Sequence, residues 1–173
     1  VSFPTSRFKY VHKYVTKPRG ICIEENETQF LQQAMKRYLY REIESHPMTR
    51  GRVNFLSQGI NQKLALESSI THAYSTIDMS EASDRVAREL VFRLFWDTPL
   101  LPYLDALSTK VITLPDGLGV DRTLFAQEFA PMGSAICFPI MAIVHFALIK
   151  AIIQLSGIEN ARELSKHVYV YGD

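Results

Sequence analysis

Two runs in this sequence end on an aspartate in the way a strand delivers a carboxylate to the edge of a sheet: Ser75-Thr76-Ile77-Asp78 and Val168-Tyr169-Val170-Tyr171-Gly172-Asp173. Both are rich in the β-branched and aromatic residues that strands favour. Two carboxylates about 4 Å apart repel by roughly 1 kcal/mol in water and by about 4 kcal/mol at the effective dielectric of a protein surface, so a fold that pairs them usually supplies cations. Mg2+ suits the place, because it takes oxygen ligands, uses one or two protein carboxylates and completes its shell with water and phosphate oxygens. Two such ions roughly 3.5–4 Å apart clamp the attacking and leaving oxygens of a phosphoryl transfer. Asp78 and Asp173 are therefore expected to meet in space, and nucleotidyl transfer is the first chemistry to consider.

Two further features could serve such a site. Asp84 lies six residues beyond Asp78, at the start of an expected helix from about Ser83 in which Val86, Leu90, Val91, Leu94 and Phe95 take core spacing. Its carboxylate either favours the helix N-terminal dipole, worth about 0.3–1 kcal/mol, or accepts a hydrogen bond from a ribose hydroxyl. Pro131-Met132-Gly133-Ser134-Ala135-Ile136-Cys137 is a small-residue loop ahead of a long apolar helix. Gly133 allows a close backbone approach, and Ser134 can cap the helix or hydrogen-bond a sugar.

The elements that must position these residues follow from periodicity. Residues 1–20 hold Arg7, Lys9, Lys13, Lys17 and Arg19, with Phe3, Phe8, Tyr10 and Tyr14 among them and no acid. That mixture suits phosphate contact with some base stacking, and equally a solvated basic strand and turn. Ile21-Cys22-Ile23 reads as a short strand. A helix runs from the N-cap Asn26 to about Glu44, with Phe30, Leu31, Ala34, Met35, Tyr38, Leu39 and Ile43 at core spacing. Shorter helices are expected at 62–71 and from Pro102 to Leu107, a strand at Val111–Leu114 entering a turn at Pro115-Asp116-Gly117, and a polar helical connection from Glu159 to His167. Asp116 and Asp121 read as turn residues. The helix at about 139–155, PIMAIVHFALIKAIIQL, is interrupted by His145 and Lys150 and reads as a core helix rather than a membrane span.

Composition bounds the alternatives. The 173 residues, 47% hydrophobic, can bury a real core. Residues 1–52 hold ten Lys/Arg against five Asp/Glu and the remainder nine against thirteen, so the net charge of +1 hides a basic part that could face phosphates and an acidic part that could hold metal. Cys22 and Cys137 give no disulfide framework, and the five histidines show no ligand spacing, so zinc chemistry has no support. No GxSxG elbow, phosphate-binding P-loop or GxGxxG is present, which removes the hydrolase, P-loop and dinucleotide readings. With Val1 at one end and a strand pattern stopping at Asp173, the chain reads as a fragment of something longer.

Taken together, Asp78-x-Ser80-x-Ala82-Ser83-Asp84, Met132-Gly133-Ser134 with Phe138-Pro139, and Tyr171-Gly172-Asp173 resemble motifs A, B and C of viral RNA-directed RNA polymerases, in the manner of the leviviruses and their narnavirus-like relatives. Arg19-Gly20-Ile21-Cys22-Ile23-Glu24 is similar to the basic motif F, Ile60-Asn61-Gln62 to an amide-bearing segment ahead of motif A, and Leu114-Pro115-Asp116-Gly117 to the hairpin before motif B. The resemblance implies an α+β fold, a right-hand polymerase fingers/palm fragment with a small antiparallel palm sheet backed by helices and the thumb absent. Residues 1–72 would be mainly fingers, and residues 73–173 the palm core with a fingers insertion at about 98–130. Asp78 and Asp173 would be catalytic and would ligate two Mg2+ ions, for which Mn2+ could substitute. Lys17 and Arg19 would contact the incoming triphosphate, and Asp84 with Gly133 and Ser134 would sense the ribose. RNA template and product, nucleoside triphosphates and host protein subunits would be the partners, in the cytoplasm of a host cell, a bacterium by the resemblance. The second half of motif C is missing, so the fragment alone is expected to be inactive. A reverse transcriptase-like palm and a non-catalytic RNA-binding module remain the competing readings.

Overall fold

A computed structural model describes residues 3–14, 17–115 and 121–171 of the chain. In chain order the elements are strands β1 (Thr5–Tyr14) and β2 (Lys17–Glu24), helices α1 (Asn26–Ser45), α2 (Gly59–Thr71), α3 (Arg88–Leu94) and α4 (Leu101–Leu107), strands β3 (Val111–Leu114) and β4 (Arg122–Phe125), and helices α5 (Cys137–Leu155) and α6 (Ala161–Leu164), the last followed by a 3-10 turn at Ser165–His167. They fall into two compact units, each of two chain segments: Val1–Lys36 with Ser83–Cys137, and Arg37–Ala82 with Phe138–Asp173.

The first unit holds a four-stranded sheet in the order β2-β1-β3-β4. β1 and β2 form a long antiparallel hairpin from Ser6↔Glu24 to Tyr14↔Lys17, with an irregularity between His12 and Tyr14. β1 also pairs in parallel with β3, and β3 pairs antiparallel with β4. Alternation sorts the hairpin faces: Ser6, Cys22 and Glu24 are buried, whereas Arg7, Lys9, Arg19 and Ile23 are exposed. Phe8 lies over Gly20, where a Cβ would stand 2.6 Å from its Cε2, so the ring's position requires glycine opposite. In the same unit Val91, Leu104, Phe129 and Ile136 are buried to 1% exposure or less. Arg88 is half-buried and ties α3 to the chain leaving α4: its Nη1 donates to Ser108 Oγ at 2.6 Å, its Nη2 to the Thr109 carbonyl, and Asp105 Oδ1 lies 3.9 Å away.

The core of the second unit is Val53, Phe55, Ala142, Phe146, Val168 and Val170, joined by the half-buried Tyr40, Ile43 and Phe138. Tyr40 stacks on Phe55 at 4.3 Å between centroids, and Phe138 meets the Tyr171 ring edge-on at 5.8 Å. The terminal segment is held to this core by a parallel bridge, Val53↔Val170, in which Val170 N–H donates to Arg52 O at 2.7 Å and Asn54 N–H to Val170 O at 3.1 Å. α5 is long and apolar enough to cross a membrane; Pro139 to Ala142 and Val144 to Phe146 are buried within the protein, whereas Leu148, Ile152 and Leu155 toward its end are exposed.

The helices at 26–45, 101–107 and 137–155 and the strand at 111–114 match the periodicity, and α2 begins a few residues earlier than expected. Four expectations need correction. Residues 72–79 form no strand, and 168–171 contribute one bridge instead of a strand, so no antiparallel sheet carries Asp78 among the described residues. The physical reason is that strand propensity acts through cross-strand partners, and the partner of Val170 is Val53. Residues 80–85 form turns, so the helix expected from Ser83 starts only at Arg88 and Asp84 precedes it. α1 buries Gln32 and Leu39, while Phe30, Leu31 and Tyr38 are exposed, because a rotation of the apolar stripe places a glutamine on the inner face. The cap of that helix also moves back by one residue, since Gln29 N–H donates to Glu25 O. The turn at Asp116-Gly117 and the terminal Gly172-Asp173 lie outside the described residues.

Candidate functional site

The best-defined part of the candidate site lies in the first unit and is built on backbone fit. Gly133 has φ +114°, a conformation that side chains resist, and a Cβ there would come within 2.1 Å of the Cys22 carbonyl oxygen. On the same strand Cys22 N–H donates to Met132 O at 2.8 Å, so β2 grips the loop at two successive residues. Ser134 N–H returns to Pro131 O at 3.0 Å, and Ser134 O accepts from Cys137 N–H at 3.2 Å where α5 begins. The Ser134 side chain is 6% exposed, and its Oγ has no hydrogen-bond partner among the described residues.

Asp84 is fixed beside this loop by a short backbone stitch. Phe129 N–H donates to Val86 O at 2.8 Å, Arg88 N–H to Gln127 O at 3.0 Å, and Ala87 bridges Glu128, so the chain just after Asp84 runs along the chain just before the loop. The turn itself includes Glu81 at φ +55°. Asp84 is exposed, and the buried Ser83 donates its hydroxyl to Asp84 Oδ1 at 3.1 Å. Burial pushes the Cys137 thiol up to about 12, with the Asp84 charge adding to the rise and a hydrogen bond from Ser83 opposing it. Burial likewise raises Cys22, a Ser6 hydrogen bond opposes it, and the charges of Glu128, Glu24 and Asp84 add to it. One carboxylate is thus felt by both thiols that flank the Gly133-Ser134 loop.

The other predicted residues are placed as follows. Arg19 is exposed on β2 opposite Val11, and strand alternation puts Arg7 and Lys9 on the same face of the hairpin. Lys17 opens β2 and pairs with Tyr14. Asp78 is exposed on the unpaired segment 72–79 of the second unit and makes no hydrogen bond or ion pair among the described residues. Its hard carboxylate oxygens have the donor chemistry Mg2+ takes. No group of three or more His, Cys, Asp or Glu among the described residues is arranged to hold a metal, and Asp173 lies outside them. Motif reading missed Ser83, although it sits inside the first motif, and Gln32, whose one signal was a place seven residues before Leu39 on the same helix face.

Comparison with known proteins shows the family of the chain. The family described as "RNA replicase, beta-chain" matches residues 2–173. The RNA-directed RNA polymerase beta chain of Escherichia phage MS2 is 28% identical over 133 residues, which cover 77% of this chain and 22% of that protein. The protein of the same name in Enterobacteria phage GA is 29% identical over 160 residues, covering 90% of this chain and 26% of the relative. The RNA-directed RNA polymerase subunit beta of Escherichia virus Qbeta is 28% identical over 121 residues, 70% of this chain and 19% of its own. The chain therefore spans about a quarter or less of the relatives it matches. With the whole described sequence inside the match, the chain belongs to the RNA replicase, beta-chain family.

Proposed function

We propose that this chain is part of the catalytic core of an RNA-directed RNA polymerase that extends an RNA 3′ end with ribonucleotides on an RNA template. The observation that carries the reading is the stitch of the Asp84 turn to the Gly133-Ser134 loop, which sets an exposed carboxylate beside a glycine-dependent backbone in a chain of this family. An exposed carboxylate accepts a hydrogen bond from a ribose 2′-hydroxyl, a group deoxyribose lacks. Ser83 already donates to Asp84 Oδ1, which orients the carboxylate and leaves its other oxygen for the sugar. Arg19 and Lys17 would meet the triphosphate, the guanidinium in a bidentate fork. Asp78 and Asp173 would hold two Mg2+ ions, whose chemistry is to lower the pKa of the attacking 3′-hydroxyl and to stabilise charge on the transferring phosphate. RNA strands, nucleoside triphosphates and host protein subunits would be the partners, in the cytoplasm of a bacterial host, as the Escherichia phage relatives suggest.

The test is incorporation of labelled nucleotide by the full-length polymerase on an RNA template with Mg2+. Asp84→Ala is expected to lower the preference for NTP over dNTP by about tenfold or more, the factor carried by one lost hydrogen bond to a charged group. Template-independent incorporation, or undiminished sugar preference in that variant, would overturn the reading.

A further inference from the structure

Gln32 is 0% exposed, and a buried primary amide costs about 1–3 kcal/mol unless its donors and acceptor are met. Here the acceptor and one donor are met, at two separate places in the first unit. Nε2 donates to Leu107 O at 2.8 Å, at the end of α4. Oε1 accepts from Ala135 N–H at 3.0 Å, at the turn that enters α5. Nearby, at the end of β2, burial raises the pKa of the Glu24 carboxyl, and Thr109, which donates to it, and the Gln32 amide oppose that rise. Packing alone does not ask for this arrangement, because a methionine of similar volume would fill the same space without polar atoms to satisfy.

The backbone that Gln32 holds is the one the candidate site uses. Ala135 follows Ser134 directly and stands two residues from Gly133. Cys22 grips Met132 and Gly133 from β2, and Gln32 grips Ala135 from α1, so the loop is fixed on both sides of Ser134. The far end of the loop, Cys137, is linked through Ser83 to Asp84. A shift of the Ala135 amide would therefore move the Ser134 hydroxyl and the start of α5 relative to Asp84. We propose that Gln32 is a positioning residue for sugar recognition: its side-chain oxygen, by holding the Ala135 N–H, sets the Gly133-Ser134 loop at the distance from Asp84 at which a nucleoside triphosphate is read as ribo or deoxyribo. The proposal rests on the polymerase reading.

The experiment compares the full-length polymerase with its Gln32→Met, Gln32→Glu and Gln32→Asn variants, each measured for kcat and KM with NTP and dNTP and for thermal melting. Gln32→Met removes the acceptor and is expected to lower the ratio of kcat/KM for NTP over dNTP by about tenfold, mostly through a raised KM for NTP, since misplacements near 1 Å cost up to ~100-fold. Gln32→Glu keeps an oxygen for Ala135 N–H and loses the donor to Leu107, so it melts lower but keeps the ratio within about threefold. Gln32→Asn, too short by one methylene to reach both ends, follows the methionine variant and replaces it if that variant does not fold. A folded Gln32→Met or Gln32→Asn enzyme with the parent ratio overturns the role of Gln32, as does a Gln32→Glu enzyme that loses the ratio as completely as Gln32→Met. Failure of the parent enzyme to incorporate NTP at all would instead sink the polymerase reading itself.

Discussion

The loop at 131–137 and the segment at 72–79 were both marked by the sequence as carriers of chemistry, and they are built in opposite ways. The loop is gripped by Cys22, returned on itself by Pro131 and held at Ala135, with a glycine that no other residue can replace without overlap. The segment is in no ladder, and Asp78 is exposed and touches no polar partner among the described residues. Part of the segment is tethered, since Tyr74 N–H donates to Ser68 Oγ at 3.0 Å at the end of α2, but that contact lies four residues before the aspartate. On the proposed polymerase reading the difference separates two kinds of residue. Reading a single hydroxyl would need a backbone fixed to fractions of an ångström, whereas a carboxylate that meets a cation would gain its energy from the charge it meets. Substitutions in the loop should therefore cost stability and activity together, and substitution of Asp78 should cost activity alone.

The strongest way to break that contrast is Asp78→Asn in the full polymerase. If Asp78 holds metal as proposed, its loss is expected to lower incorporation by roughly 1000-fold or more while the melting temperature stays within about a degree, because the side chain is exposed and has no polar partner among the described residues. A fall of several degrees would show that Asp78 is structural. Gly133→Ala is the converse: the overlap with Cys22 O and the positive φ should destabilise the protein by about 3 kcal/mol or more, read as a lowered urea midpoint. A parent-like midpoint would show that the loop is not held as described. Ser83→Ala removes the hydroxyl that donates to Asp84 and should cost about 1 kcal/mol of stability with a measurable loss of sugar preference.

The smallest effect sharpens the comparison through pH. Cys137 ionises near 9.0 when unfolded and only near 12 when folded, so between these values the unfolded chain holds fewer protons and stability falls as pH rises. One pH unit into that window costs about 1 kcal/mol. Chemical denaturation from pH 8 to 10 should show the loss growing above 9, and Cys137→Ala should lessen it, leaving the part that the raised Cys22 thiol contributes. A fall that survives the substitution unchanged would assign it to another group.

Local signals were strong where a segment's own residues decide its state. α1, α4 and α5 follow from apolar spacing, and β3 from four β-favouring residues before a proline. The signals failed where a distant partner decides. The run at 73–78 has strand-forming residues but no ladder, and Val170 finds Val53 instead, a pairing no local pattern announces. The inner face of helix α1 was read too widely: Leu39 is buried and Ile43 packs on a core as expected, but Phe30, Leu31 and Tyr38 are exposed and Gln32 takes the inner position. That glutamine is inside because two backbone groups far along the chain, Leu107 O and Ala135 N–H, take up its hydrogen bonds, and such complementarity is invisible until the elements meet. At the site, the Asp84 and Gly133 motifs were legible as types. The stitch between them, carried by the main chain of 86–88 and 127–129, was not.

The bridge between Val53 and Val170 also bears on how the polypeptide is made. At a synthesis rate of ~10 residues per second, Val53 leaves the ribosome roughly ten seconds before the residue that will cover it. Through that interval Val53 and Phe55 lack the valines that complete their core, and the nascent chain must be kept from sticking to its neighbours on the same message. Slowing translation just upstream of codon 168 should lengthen that exposure and increase the insoluble fraction, at unchanged stability of the finished protein.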